Sequence, residues 1–198
     1  MKNFKWKEWR KAGWRDPSEA LSWYDAGWIN PSEALPWYRA GWKEPEEALL
    51  WYHAGWSNPQ RALNWRNVGW SDPAAAYFWY EEACWDDPHE AHHWFISGWE
   101  DPDMAGLWVD AGWEDPKEAF EWYNAGWLHP KIALRWRNAG WKEPAEALNW
   151  CNKNKWWNAK KSLALYEEDK KKKKEYERKR LETPYSQLPK KQLDGASD

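Results

Sequence analysis

Apolar and polar positions recur along most of the chain with a period of 14 residues, and each period predicts one short helix. The repeated pattern is W-Y-x-A-G-W-x-[DNE]-P-x-E-A-L-x, in which Ala, Leu, Trp and Tyr supply apolar positions at helical spacing. A fixed period this short indicates a tandem-repeat array. Ten prolines, each counted as position 0 of its unit, mark the array: Pro17, Pro31, Pro45, Pro59, Pro73, Pro88, Pro102, Pro116, Pro130 and Pro144.

Each unit carries signals for both ends of its helix. Pro suits the first helical position, and the Asp, Asn or Glu before it can accept hydrogen bonds from the first amides. Asn30 with Glu33 resembles a capping box. Gly27 predicts a left-handed ending that brings Trp23 and Trp28 together, so we expect the two tryptophans of every unit to pack on each other.

The apolar face of these helices is unusually wide. Positions +3, +4, +6, +7 and +9 spread over roughly 220° of the helix, against about 100° for a helix that rests on one surface. Each helix must therefore be flanked on two or three sides by other units. We predict an all-α fold, an α-solenoid of about ten single-helix repeats followed by a charged C-terminal helix and tail, with successive helices alternating in direction.

The decay of the pattern at both ends suggests four regions. Residues 1–14 keep only half a unit and are predicted to be an N-terminal capping half-repeat, and residues 15–157 form the tandem-repeat α-solenoid. Residues 158–181 are predicted to be a charged basic helix. The polar, Pro-broken residues 182–198 are predicted to be a disordered tail.

Two residues break the rule inside the array. Pro36 stands within its helix, where it should cost about 3 kcal/mol or kink the unit. Cys84 replaces the terminating Gly in a unit that is one residue longer. Because a left-handed Cys is strained, we expect this helix to end differently or to run one residue longer.

The repeat resembles the loosely defined class of short α-helical tandem repeats written A-G-[FW]-x-x-P-x-E-A-x-x-W. The resemblance covers about residues 9–157 and implies an architecture without implying an activity. It also explains the composition, since 22 of the 24 tryptophans occupy the in-helix or the post-Gly position. Tryptophan is therefore predicted to be structural here.

Charge and cysteine content limit the class of protein. The net charge of −3 divides into −9 over residues 1–152 and +6 over residues 153–198, and an acidic array is a poor receptor for nucleic acid. Cys84 and Cys151 show neither disulfide nor metal spacing, which favours a reducing intracellular compartment, cytoplasmic or nuclear. No apolar run is long enough to span a membrane, and no signal-peptide core is present.

One stretch matches a catalytic motif. His89-Glu90-Ala91-His92-His93 fits H-E-x-x-H, in which two histidines bind zinc and the Glu activates water. However, Glu90 is also the regular position +2 Glu, and no third ligand follows. His89 and His93 are therefore weak metal candidates, a metal-dependent activity is a third hypothesis, and we expect no enzymatic activity and no cofactor.

A basic run near the C-terminus offers a second candidate site. It could contact nucleic acid or another polyanion, or it could be a solvated helix whose interleaved acidic residues form ion pairs. The polyanion-binding candidates are Lys170, Lys171, Lys172, Lys173, Lys174, Arg178, Lys179 and Arg180.

The most variable positions, +1, +5 and +8, fall on one narrow stripe opposite the apolar face. We call the stripe shared by every second helix the candidate stripe, and its partner-binding candidates are Glu46, Leu50, Phe78, Glu81, Asp103, Leu107 and Asp110. An apolar ridge rimmed by acidic residues favours a basic, partly apolar protein partner. The alternative is that the three apolar residues fill gaps between adjacent helices. The first hypothesis for function is a non-enzymatic protein-interaction scaffold or structural component of a larger assembly, and the second is association with nucleic acid through the C-terminal segment.

Overall fold

The computed structural model describes residues 4–154 and 158–182, and this part of the chain contains twelve α-helices and no β-strand. The helices pack successively, each against the next and, in many cases, against the second one along. The predicted all-α, α-solenoid-like fold with a C-terminal helix is thereby confirmed. The helices are α1 (Trp6–Ala12), α2 (Pro17–Asp25), α3 (Pro31–Arg39), α4 (Pro45–His53), α5 (Pro59–Val68), α6 (Pro73–Tyr77), α7 (Pro88–Ile96), α8 (Pro102–Asp110), α9 (Pro116–Asn124), α10 (Pro130–Asn138), α11 (Pro144–Asn154) and α12 (Ala159–Glu182).

The described residues fall into two compact units. The first contains the residues up to 110 together with 114–120, and the second contains 111–113 and the residues from 121 onward. The boundary runs through α9. None of the described helices combines the length and the apolar character that crossing a bilayer requires.

The helix starts follow the sequence signals. The Asp16 side chain accepts hydrogen bonds from the amides of Ser18 and Glu19, at 2.7 and 3.4 Å, while Pro17 takes the first helical position. At α3 the predicted capping box is modified, because Glu33 accepts from the side-chain amide of Asn30 at 2.9 Å. The Asp or Asn before Pro therefore satisfies the first turn, and the Glu of position +2 is left available for other contacts. Glu44 and His129, which precede Pro in α4 and α10, make no side-chain capping bond, so the prediction fails there.

The helix ends bring the two tryptophans of a unit together, as predicted. Gly27 has a φ of 114° and donates to the Tyr24 carbonyl at 3.0 Å, while the Trp28 amide donates to the Trp23 carbonyl at 3.2 Å. These two bonds define a Schellman ending. The rings of Trp23 and Trp28 lie 5.4 Å apart between centroids.

The post-Gly tryptophan also joins units that are not adjacent in sequence. The Trp28 ring lies 5.9 Å from Trp37 in the next helix, and its Nε1 donates to the Pro45 carbonyl at the start of the second helix along, at 2.9 Å. The same Trp-to-Pro bond recurs at Trp14, Trp42, Trp56, Trp70, Trp85, Trp99, Trp113 and Trp127. The core of each unit is thus a series of buried tryptophans with the fully buried Ala of position +3 between them.

The extra residue near Cys84 is absorbed without losing the tryptophan pair. Residues Phe78–Glu82 form a π-helical segment directly after α6, and the Trp85 amide reaches the Trp79 carbonyl at 3.1 Å. The helix does run one residue longer, as one alternative predicted. The expectation that Cys84 would avoid the left-handed region was wrong, since its φ is 59°. Keeping Trp79 and Trp85 in contact, at 5.2 Å, requires that ending.

Replacing Cys84 by Gly should raise the free energy of unfolding by about 1 kcal/mol. A left-handed L-residue costs roughly 1–2 kcal/mol, and the greater freedom of Gly in the unfolded chain offsets part of that gain. Urea denaturation measures the change. Cys84→Ala is the control, because it removes the thiol and keeps Cβ, and an equal gain in both variants would contradict the explanation.

Pro36 does not end its helix. α3 is nine residues long, as α2 and α4 are. Pro36 lies on the exposed side of the helix, so the carbonyl that would accept from its missing N–H can bind water instead. At the N-terminus, Phe4 packs 5.9 Å from Trp9 and 5.4 Å from Tyr24. Phe4 thereby takes the place that a post-Gly tryptophan has in later units.

The repeat packing continues into α12. Trp141 Nε1 donates to the Ala159 carbonyl at 3.1 Å, and Tyr166 packs on Trp141 and Trp150 at 5.0 and 5.8 Å. The first two turns of α12 therefore pack as a further repeat helix, and the segment in which every described side chain is exposed begins at Glu167 rather than at 158. Trp156, Trp157 and the predicted tail beyond Glu182 lie outside the described residues.

Ser162 replaces the buried Ala of position +3 in α12, and its substitution by Ala should raise the free energy of unfolding by about 1 kcal/mol. Its side chain is completely buried, and its hydroxyl has no hydrogen-bond partner within the described structure. Thermal unfolding at matched pH tests this. Ser97→Ala should give no gain, because the Ser97 hydroxyl donates to the His93 carbonyl at 2.8 Å.

Candidate protein-interaction surface

The predicted variable stripe is exposed in every repeat helix. Side chains at positions +1, +5 and +8 are exposed from α2 through α11, whereas the core takes positions +3 and +6. The division follows from the tryptophan packing, because a helix held through Trp and Ala on one side has the opposite side left for solvent. The stripe can therefore vary in sequence without disturbing the core.

Three large apolar side chains lie on the candidate stripe. Leu50, Phe78 and Leu107 are 63%, 46% and 54% exposed, which does not fit the alternative that they fill gaps between helices. Leu50 belongs to α4, Phe78 begins the π-helical segment after α6, and Leu107 belongs to α8. These alternate helices are joined in series by the bonds from Trp56 to Pro73, at 3.0 Å, and from Trp85 to Pro102, at 3.2 Å.

Acidic side chains surround these apolar positions. Glu46, Glu81, Asp103 and Asp110 are all exposed at positions +1 and +8 of the same helices. From residue 72 to residue 110 the chain has ten Asp and Glu and no Lys or Arg, and all ten acidic side chains are exposed. This part of the first unit therefore has a strongly negative surface, which attracts cationic partners and steers their approach.

Further exposed apolar residues lie outside the candidate stripe. Ile29 and Leu128 follow the post-Gly tryptophan and are 85% and 76% exposed, and Ile96 at position +8 of α7 is 64% exposed. The sequence carries a signal for Ile29 and Leu128, because the position after that tryptophan is polar or charged in all the remaining units from α1 to α10.

The regular Glu at position +2 links adjacent helices, a role that its capping interpretation missed. The Tyr52 hydroxyl donates to Glu33 at 3.2 Å, and Tyr38 donates to Glu19 in the same way; in both cases the hydrogen bond to the carboxylate raises the pKa of the phenol. Glu47 instead binds the Arg66 guanidinium through two bonds of 2.9 and 2.8 Å. Positions +2 and +7 of neighbouring helices thus form complementary pairs in these three cases.

The histidines of α7 separate into two environments. His89 and His93 are exposed at the variable positions +1 and +5 of α7. His92 takes position +4, which is Leu in the consensus, and lies against Gly69 and Trp70. Among the described residues no group of three His, Cys, Asp or Glu is arranged to hold a metal ion. Burial lowers the pKa of the His92 imidazole below its ordinary value of 6.5.

The lowered pKa predicts that His92 destabilises the protein in acid. The folded state resists protonation of His92, so its contribution is fully present above pH 6.5 and is lost as the pH falls through the lowered pKa. His92→Leu should therefore gain more stability relative to wild type at pH 5 than at pH 7.5, as measured by urea midpoints. An equal gain for His92→Leu at the two pH values would contradict this explanation.

The basic run in the outer part of α12 has ion pairs on one side and further exposed basic residues on another. Three ion pairs at i,i+4 join Glu168 to Lys172, Asp169 to Lys173 and Glu175 to Lys179, at 2.7, 3.0 and 2.9 Å. All are solvent-exposed, so each contributes little to stability. On another side, Lys171, Lys174 and Arg178 fall within roughly 60° of the helix circumference and pair with no described acidic side chain.

The fold and the surface together define a class: a helical-repeat protein with an invariant aromatic core and a variable exposed stripe. No protein family, no curated protein and no solved structure matches the chain. The function must therefore be argued from its own residues.

Proposed function

We propose that this protein is a non-enzymatic interaction scaffold that binds another protein along the candidate stripe. The observation that carries the proposal is the exposure of Leu50, Phe78 and Leu107 on three serially joined helices. Clustered apolar side chains in an otherwise polar surface are typical of protein-binding sites. The partner should offer a basic, partly apolar segment, because the rim of the stripe is acidic.

The test compares two triple variants with matched numbers of substitutions. Leu50→Ser, Phe78→Ser and Leu107→Ser remove the apolar positions of the candidate stripe, whereas Asn64→Ser, Glu121→Ser and Asn149→Ser change the same position on the alternate helices. Each variant is immobilised, and the proteins that bind to it are cross-linked and then identified. The melting temperature of each variant is recorded in parallel. Loss of binding only in the first variant, at an unchanged melting temperature, supports the proposal. Unchanged binding there contradicts it.

A second candidate function is association with nucleic acid through α12. It is favoured by Lys171, Lys174 and Arg178, which are exposed on one side of the helix. If this side binds phosphates, log affinity for a DNA or RNA oligonucleotide should fall with log salt at a slope of about −0.9 per phosphate on a duplex. Replacing the three residues by Gln should reduce that slope by two or three contacts.

A further inference from the structure

The outer part of α12 is a helix without a packing partner. From Glu167 to Leu181 every described side chain is exposed, so no described part of the same chain covers it. The segment includes two large apolar side chains, Tyr176 and Leu181, which are 69% and 83% exposed. A helix of this length is marginal in water on its own, and exposed i,i+4 ion pairs add little. A docking surface would stabilise it.

The candidate stripe has the chemistry that this helix requires. Three of the ten exposed acidic side chains between residues 72 and 110 lie on the stripe, namely Glu81, Asp103 and Asp110, and that stretch has no Lys or Arg. The helix presents Lys171, Lys174 and Arg178 on one side. Leu50, Phe78 and Leu107 supply apolar contacts for Leu181, which lies beside the basic side of the helix, whereas Tyr176 lies on the opposite side. Nucleic acid fits the chain less well, because the array would repel its phosphates.

The dimensions also agree. Adjacent packed helices lie about 8–10 Å apart, so three serially joined helices place Leu50 and Leu107 roughly 16–20 Å apart. The segment from Glu167 to Glu182 is about 24 Å long at 1.5 Å per residue. One helix can therefore span the whole apolar row of the stripe.

We propose that the partner is a second copy of this chain. The basic outer part of its α12 docks on the candidate stripe, which is formed by α4, α6 with the π-helical segment after it, and α8. This inference rests on the proposed function and names its partner. The two contacting surfaces are different, so the contact is heterologous, and repeated contacts produce a ring or a growing chain.

Two charge-reversed variants test the proposal. The stripe variant has Glu81→Lys, Asp103→Lys and Asp110→Lys, and the helix variant has Lys171→Glu, Lys174→Glu and Arg178→Glu. In sedimentation equilibrium, the mass of wild type should rise with concentration, and its apparent Kd should rise about tenfold or more between 0.05 and 0.5 M salt because the contact is screened. Each variant alone should be monomeric. An equimolar mixture should associate again, with a mass that rises with concentration, because each contact between the two variants pairs a basic surface with an acidic one.

A control variant, with Lys7→Glu, Lys11→Glu and Arg15→Glu, has the same change in net charge as the helix variant but at other positions. It should associate as wild type does. Wild type that stays monomeric at every concentration overturns the inference, and so does a mixture of the two variants that stays monomeric. A monomeric wild type that loses oligonucleotide affinity only in the helix variant points to a polyanion instead. If wild type is monomeric but the Leu50, Phe78 and Leu107 variant still loses a protein partner, the inference fails and the proposed function stands.

Discussion

Replacing Trp56 by Ala should lower the free energy of unfolding by about 3–5 kcal/mol, as for other large core truncations. Trp56 is 2% exposed and lies 5.3 Å from Trp51 and 5.7 Å from Trp65 between ring centroids. Its Nε1 also donates to the Pro73 carbonyl at 3.0 Å. The substitution therefore opens a cavity and breaks the bond that joins α4 to α6.

Denaturant midpoints for two further variants separate these contributions. Trp56→Phe keeps an aromatic ring and loses the hydrogen bond, so it should fall between wild type and Ala. Asn64→Ala, on the exposed stripe, should change stability by no more than about 0.5 kcal/mol. Equal midpoints for Trp56→Ala and Asn64→Ala would show that tryptophan packing does not hold the array together.

Two Gly-to-Ala substitutions in neighbouring units should act in opposite directions. At Gly98 a Cβ would lie 2.6 Å from the Phe120 ring, and φ is 106°, so Ala is both crowded and strained there. We expect a loss of about 2–4 kcal/mol, by analogy with overpacking and left-handed strain combined. At Gly106, inside α8, a Cβ meets nothing within 4 Å, and Ala should raise stability by about 1 kcal/mol.

The pair also controls for the change in composition, since both variants add one methyl group. Gly98→Ala combined with Phe120→Leu, the consensus residue at that position, should recover the part of the loss that is due to crowding. If Gly98→Ala is as stable as Gly106→Ala, then the glycine endings are not required by their geometry.

The sequence was sufficient for the elements and for their contacts within a unit. Pro17, Gly27 and the Trp23–Trp28 spacing act within one helix and one turn, where local rules are strong. The contacts between units were harder to predict from the sequence. The bond from Trp28 to Pro45 depends on which helix lies beside which, and the period of 14 carries no information about that.

One contact between units did leave a signal that was misinterpreted. Position +2 was assigned to capping, but in several units it also bonds to position +7 of the next helix: Tyr52 donates to Glu33, and Arg61, which replaces Glu, meets Tyr80. The prediction that Cys84 avoids the left-handed region failed for a related reason. Its local strain was estimated correctly, but the requirement to keep Trp79 on Trp85 outweighs it.

The candidate site was predictable only as an exposed stripe. Periodicity placed Leu50, Phe78 and Leu107 on the same side of alternate helices, and their exposure agrees with that placement. The net charges of residues 1–152 and 153–198 do not reveal the acidic stretch between residues 72 and 110. Which molecule meets this surface depends on matching a second surface, and that information lies outside any single repeat.

The bonds from each post-Gly tryptophan to the second helix along also constrain how such a gene can lengthen. Leu50, Phe78 and Leu107 lie 28 and 29 residues apart, which is two units, with the extra residue taken up in the π-helical segment. Duplicating or deleting a single unit would transfer every later stripe residue to the alternate row of helices. Duplicating two units would preserve the row, so arrays of this kind should evolve by gaining and losing repeats in even numbers.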